Sequence, residues 1–294
     1  MDLLLQRVAD GVGNGCVYAA LALAIVLVFR TSGVVNFAQG EMATLSTYLV
    51  WFLLTWNLGI WTALLVAVVA AFVLAAALER VLIRRLDIGD HLSMVLVMTG
   101  LYTLFGALAL LLFGSDGRPL PSLFPEGALQ LSAVRLPYAT IGALAALAVA
   151  GVALALLFRF TKLGLGLRAV AQNRTSSALA GLPIGRLLAT GWGLAGGLGA
   201  LSGVLVTSLG LYLEPGLMLP VLVYAMASAT LGGFDSPVGA VVCGLLLGVC
   251  ESVTVGYLRF IGTEMTLAVP FAVMLAGMVL RPAGLFGKVS VRRA

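Results

Sequence analysis

"GVVNFAQGEMATLSTYLVW", Gly33–Trp51, sets three polar side chains, Asn36, Gln39 and Glu41, within six residues on the threshold of an apolar run. The uncharged stretch that follows, Met42–Trp56, has 15 residues, and as helix it covers about 22 Å. A hydrocarbon core is about 30 Å thick, so the run is too short to cross comfortably. Extending it back to Val34 supplies the missing length and puts Asn36, Gln39 and Glu41 at membrane depth. A carboxylate at the bilayer centre costs about 2.5–3.5 kcal/mol on insertion scales, so such a group must face protein or a watery cavity. Gly33 and Gly40 permit a break in the helix here. Two readings follow: a broken helix bordering a transport path, or a turn in the headgroup zone. Span length favours the first.

The surrounding composition makes membrane depth the relevant scale. The 294 residues are 61% hydrophobic and 10% charged, with a mean hydropathy of +1.12. A soluble domain carries about a quarter charged residues, so the sequence predicts an all-α polytopic membrane protein, a single domain over residues 1–294. Apolar runs suggest eight or nine spans, some short or broken: Gly11–Phe29, Val34–Leu54, Gly59–Leu78, Leu92–Phe113, Tyr138–Phe158, Leu187–Leu209, Met218–Leu231, Val238–Leu258 and Met265–Leu280. Asp2, Arg7 and Asp10 make a poor basic leader, so secretory cleavage is not expected. Cys243 and Cys250 lie two helical turns apart, too far for a disulfide, and the three cysteines have no metal-ligand spacing.

The net charge of +5 reflects orientation rather than nucleic-acid binding. With nine crossings, 13 of the 17 basic residues fall on one side, among them Arg30, Arg80, Arg84, Arg85 and a run from Arg159 to Arg186, then Arg281 and the tail to Arg293. The positive-inside rule assigns that side to the cytoplasm. The N-terminus and the proline-rich connection Ser115–Pro137 are then external. Glycines spaced by four, Gly11/Gly15, Gly193/Gly197, Gly199/Gly203 and Gly244/Gly248, predict close helix–helix approach within one bundle.

A second interrupted segment echoes the first. Met218–Leu231 has 14 residues and runs into "GGFDSPVG", Gly232–Gly239, with Asp235 between glycine and proline. Short hydrophobic segments broken by polar, Gly or Pro residues in both halves point to a transport path, and the first and sixth spans run in opposite directions, as an inverted repeat requires. The candidate path residues are Asn36, Gln39, Gly40, Glu41 and Asp235. In the cytoplasmic loop 159–186, Leu167, Val170, Ala171, Ala178 and Leu179 recur at helical spacing from Leu165 to Ala180, opposite Arg168, Gln172, Asn173 and Arg174. Gly181 is placed to end that helix and Pro183 to prevent its continuation. Its small, alanine-rich apolar face suits a protein groove better than lipid.

These blocks together resemble the LivH-type permeases of branched-chain amino-acid ABC importers, over nearly the whole chain. "NFAQGEM" resembles the family's Asn-Phe-Ala-His-Gly-Glu signature. "ERVLIRRL", "GRPLPSLF", "GLGLRAVAQNRTSSALAGLP", "LGGFDSPVGA" and "RPAGLFG" follow in the family's order. The departure is Gln39 where histidine is usual, which removes a titratable imidazole from this position. The resemblance implies one of two related transmembrane subunits in the bacterial inner membrane, with two cytoplasmic ATPases that hydrolyse ATP and a periplasmic substrate-binding protein. It implies that the helix near Arg168–Leu182, with Arg168, Gln172, Asn173, Gly181 and Pro183, couples to an ATPase. It implies no cofactor in this chain, with lipid around it and no nucleic acid.

Rival functions leave weaker traces. An ion-coupled carrier needs titratable groups inside spans, for which Glu41, Asp235 and Glu251 are available, while His91 sits at a loop edge. An intramembrane enzyme lacks a histidine to partner Ser202, and the sequence has no HExxH. It has no GxxxxGK[ST] either, so it carries no P-loop of its own. Related permeases serve urea and short amides, which are the alternative cargo to branched-chain amino acids.

Overall fold

The computed structural model describes residues 2–86, 91–131, 134–257, 268–281 and 284–287. Every predicted span contains a helix: α1 (Asp2–Ser32), α2 (Gln39–Thr55), α3 (Ile60–Val81), α4 (His91–Phe113), α5 (Tyr138–Phe160), α8 (Ile184–Ser208), α9 (Met218–Gly232), α10 (Pro237–Tyr257) and α11 (Ala268–Leu280). The loop between α5 and α8 holds α6 (Lys162–Gln172) and α7 (Arg174–Leu179). Six of these helices are long and apolar enough to cross a membrane, whereas α2, α9 and α11 have 17, 15 and 13 residues. The start of the ninth predicted span, Arg259 and the basic residues of the tail from Lys288 onward lie outside the described residues. The connection between α4 and α5 also forms a strand pair that the sequence did not announce, β1 (Ala128–Leu131) against β2 (Val134–Pro137).

Small side chains decide which helices are central. Lipid is as apolar as leucine, so helices associate through close packing rather than through hydrophobicity. The apolar windows of α1 and of the glycine-rich α8 are 83% and 72% buried, whereas those of the leucine-rich α4 and α5 are 22% and 11% buried. The predicted glycine pairs lie at these contacts. A Cβ on Gly11 would come within 2.6 Å of Val249 Cα, one on Gly15 within 2.8 Å of Leu245 Cα, and one on Gly244 within 2.7 Å of Ala19 Cα. The glycines of α1 and α10 therefore interleave. On α8, Gly193, Gly196 and Gly197 face Phe72, Ala71 and Val68 of α3, while Gly199 and Gly203 face Gln39, Ala43 and Thr47 of α2.

Helix pairing follows a two-fold pattern. The main partner of α1 is α10, and that of α8 is α3. The short helix α2 packs on α8 and α4, just as the short helix α9 packs on α1 and α11. Units α1–α4 and α8–α11 are thus equivalent, and they run in opposite directions. Gln6 near the start of α1 bonds Arg135 of β2, while Arg174 of α7 bonds the carbonyls of Thr31 and Ser32 at its end. The chain enters α8 directly from α7, and Ser208 at the far end bonds Ser122 and Leu123 of the connection between α4 and α5. This is the arrangement an inverted repeat requires.

The same contacts gather Arg84, Arg159, Lys162, Arg168, Arg174 and Arg186 at one end of the bundle and Arg118 and Arg135 at the other. Glu79, only 1% exposed, fixes the basic end: Arg84 reaches both of its carboxylate oxygens, at 2.6 and 3.3 Å, and also the carbonyl of Gly185. The end of α3 is thereby tied to the start of α8.

Gly248 and Gly151 test the packing argument. A Cβ on Gly248 would collide with the backbone of Gly15, whereas one on Gly151 of α5 meets nothing within 4 Å. Gly248→Ala is expected to destabilise the protein by about 1–3 kcal/mol through overpacking. Gly151→Ala is expected to stabilise it by about 0.5–1 kcal/mol through helix propensity. Thermal unfolding in detergent measures both.

Candidate functional site

The polar cluster that opened the sequence analysis lies inside the bundle. The α1 helix stops at Ser32, Gly33 takes a φ of +73°, and the chain runs without helix to Ala38 before α2 starts at Gln39. Gly33 breaks the helix as predicted. Gly40 does not: it sits in the first turn of α2, where the helix touches α9. A Cβ on Gly40 would lie 3.3 Å from both Met218 O and Leu222 Cβ. The N-terminal turns of the two short helices therefore meet. From there α2 runs to the hairpin end, where Tyr48 stacks on Phe113 at 4.2 Å, and α9 runs to the basic end, where Phe234 packs on Phe29.

Two amides close the break. Asn36 Oδ1 accepts the Ala38 N–H at 3.0 Å, and Asn36 Nδ2 donates to Gln39 Oε1 at 2.8 Å. Gln39 Nε2 donates to the carbonyl of Ala195, in the middle of α8, at 2.8 Å. Gly199, one turn further along α8, leaves room for this contact, since a Cβ there would lie 2.6 Å from Gln39 Nε2. Asn36 and Gln39 are each 1% exposed. The stretch is therefore packed inside the bundle, level with the middle of α8, and is not a surface turn. In this conformation its side chains brace the helices and do not face an open conduit.

Glu41 is 2% exposed and turns towards α4, where its carboxylate lies 3.6 Å from the Cβ position of Gly106. Its Oε2, the Tyr48 hydroxyl and Trp192 Nε1 have no hydrogen-bond partner among the described residues. A buried carboxylate without a full set of donors is costly, and proteins keep such groups chiefly where function needs them.

Asp235 does not join this group. "GGFDSPVG" is a tight turn at the basic end, with Gly233 at φ +88° and Ser236 N bonded to Gly233 O at 2.9 Å. Asp235 is exposed there. It lines a cavity of about 720 Å³ with Arg30, Arg168, Gln172 and Arg174. The expected interruption beyond the seventh span is thus an ordinary turn. The counterpart of residues 33–38 lies before α9, in the non-helical stretch 209–217, where Gly210 and Gly216 have φ of +103° and +85°. The polar character of "GGFDSPVG" drew attention to the wrong end of the helix.

The loop helix is two helices rather than one. Asn173 leaves helical geometry at φ −156°, ψ 107°, and its side chain accepts the Ser176 N–H, which ends α6 and caps α7. Gly181 ends α7 as predicted, with φ +77°, Gly181 N bonded to Ala178 O and Leu182 N to Ser177 O. The split divides the apolar stripe. Leu167 and Val170 are buried against Leu187 and Leu188, whereas Leu179 at the tip of α7 is 86% exposed. Arg168, Gln172, Asn173, Gly181 and Pro183 are all exposed around this platform.

Sequence reasoning did not assemble one further cluster. Tyr18 of α1 stacks on Tyr224 of α9 with ring centroids 4.4 Å apart, and Tyr18 donates to Glu251 Oε2 of α10 at 2.6 Å. The tyrosines read as ordinary apolar-span residues, and more than 200 positions separate the partners.

Comparison with known proteins shows what the chain is similar to. A family described as "Branched-chain amino acid transport system / permease component" matches residues 7–278. The chain is 27% identical to the high-affinity branched-chain amino acid transport system permease protein LivH of Salmonella typhimurium and to that of Escherichia coli, over 98% of this chain and 97% of each relative. It is 26% identical to BraD of Pseudomonas aeruginosa, over 98% and 97%. No solved structure matches.

The burial of the amide pair makes two checkable statements. Single cysteines at Asn36, Gln39 and Glu41 are expected to resist a small water-soluble thiol reagent in the resting state; ready labelling from either side would contradict the brace. Gln39→Leu leaves the Asn36 amide without its partner and is expected to cost about 1–3 kcal/mol, whereas Glu41→Gln removes an under-paired buried charge and is expected to raise the melting temperature. Thermal unfolding of the two variants separates these effects.

Proposed function

Because the chain belongs to the family of permease components of branched-chain amino acid transport systems, we propose that it is a transmembrane subunit of an ATP-driven importer that carries branched-chain amino acids. It is a multi-pass protein of the bacterial inner membrane, and a transport subunit rather than an enzyme. The observation that carries the coupling part of the proposal is the α6–α7 platform. Its base is packed into the bundle through Leu167 and Val170, Arg174 ties it to the end of α1, and its tip presents Leu179 to the surroundings. A segment anchored at one side and apolar at an exposed tip suits docking in a groove of a cytoplasmic ATPase.

The proposed assembly pairs this chain with a second, homologous permease subunit, two ATPases that hydrolyse ATP, and a periplasmic binding protein that delivers substrate. The low burial of α4 and α5 leaves broad apolar faces for lipid and for a neighbouring subunit. A zwitterionic amino acid suits the interior, since its two charges lie close together and demand little fixed compensation along the way.

Two measurements test this. The complex reconstituted with its own binding protein is expected to take up labelled leucine, isoleucine and valine only with ATP; uptake of urea without leucine would replace the substrate while leaving the transporter class in place. Gly181→Val puts a β-branched residue at φ +77°, where no neighbour lies within 4 Å of the Cβ position, so strain alone acts. A local cost of about 1–2 kcal/mol is expected to weaken co-purification with the ATPase while membrane insertion persists.

A further inference from the structure

Glu251 stands in the wedge where α1, α9 and α10 meet, well inside α10. The Tyr18 hydroxyl donates to its Oε2 at 2.6 Å, and the Tyr224 and Asn14 side chains lie beside the carboxylate. An ionised carboxylate offers about four acceptor directions, so even one donor from each of these neighbours leaves room for a further one. Among the described residues it has no ion-pair partner; Arg7, the basic residue of α1 near this site, packs against Gly256, more than a turn further along α10.

The rim of the wedge is exposed and its floor is buried. Asn14 is exposed and Glu251 half-buried, whereas Tyr18 and Tyr224 are 7% and 1% exposed, their stacked rings lying 5° from parallel. Beyond them towards the basic end, Leu21, Ile25, Ala225 and Ala229 are wholly buried. A carboxylate and an amide open to the surroundings within a span are not tolerated against lipid, so this opening faces water or another subunit.

From this geometry we infer that the wedge is a binding site for the ammonium group of an α-amino acid, with Glu251 as counter-charge and the Tyr18–Tyr224 stack as its floor. The inference rests on the proposed transport of amino acids and adds a recognition site for them within the permease. The ammonium takes the vacant acceptor direction of Glu251, and Asn14 at the rim is close enough to report its arrival. The stacked rings close the route towards the basic end, so onward passage requires them to part. A deaminated substrate lacks the group that Glu251 recognises, and a neutral amide lacks its charge.

The test uses the assembled complex in vesicles, with Asn14→Cys as the probe in a Cys250→Ser background, since Cys16 and Cys243 are buried. Leucine and 3-methylbutylamine, which keeps the ammonium, are expected to slow labelling by a membrane-impermeant thiol reagent; 4-methylpentanoate, which lacks it, is not. Glu251→Gln, confirmed as assembled by co-purification with the ATPases, is expected to lose that protection and to lower leucine uptake about tenfold or more, the loss of one charge-assisted hydrogen bond. Glu251→Asp restores part of the uptake. Equal protection by 4-methylpentanoate, undiminished uptake by Glu251→Gln, or no labelling of Asn14→Cys in any state would overturn the site while wild-type leucine uptake still upholds the transport function. Absence of wild-type leucine uptake would instead overturn the function, and the site with it.

Discussion

A polypeptide that leaves helical geometry inside a membrane must satisfy its polar groups with its own atoms, because no water is there to do it. Asn36 and Gln39 meet that constraint here. One amide accepts the backbone N–H of Ala38 and donates to the other, and the second donates to a carbonyl in the middle of α8. With the break closed in this way, α2 can start deep in the bundle, touch the first turn of α9, and leave towards the hairpin end. The length of α2, the glycine at position 199 and the burial of Glu41 all follow from where that start is fixed.

The rest of the bundle is held by close approach. Interleaved glycines bring α1 against α10, and a parallel set on α8 admits α2 and α3. Two equivalent, oppositely directed units result, each with a long helix, an irregular stretch and a short helix. Oppositely directed repeats of this kind are the architecture on which alternating access is built in many secondary transporters. The buried acids depart from the apolar rule in separate ways. Glu79 is paired with Arg84 and closes the basic end, Glu251 accepts from the Tyr18 hydroxyl, and Glu41 lacks a complete set of partners.

Much of this was legible in the sequence because membrane depth is a strict ruler. Apolar length located all nine helices, glycine spacing located the tight contacts, and Gly181 marked the end of α7. Elsewhere local signals misled. "GGFDSPVG" is polar and rich in glycine, so it resembled an intramembrane break, yet such residues serve equally well in a turn between two helices. The true counterpart, residues 209–217, carries Glu214-Pro215-Gly216, a signal that reads equally well as a connection between spans. Asn173 lay within a helical pattern, but its side chain competes for the Ser176 N–H and ends the helix there. The Tyr18–Tyr224–Glu251 cluster depends on three helices converging from distant parts of the chain, and no periodicity reports that.

The account depends most on the coupling between Asn36 and Gln39. A double-mutant cycle with Asn36→Ala, Gln39→Ala and the pair, read by thermal unfolding of the detergent-solubilised protein, measures it directly. Residues that share one hydrogen-bond network couple by about 0.5–3 kcal/mol, so the double variant is expected to lose less stability than the sum of the singles. Strictly additive losses would mean that the two amides act independently, contradicting a single brace across the break.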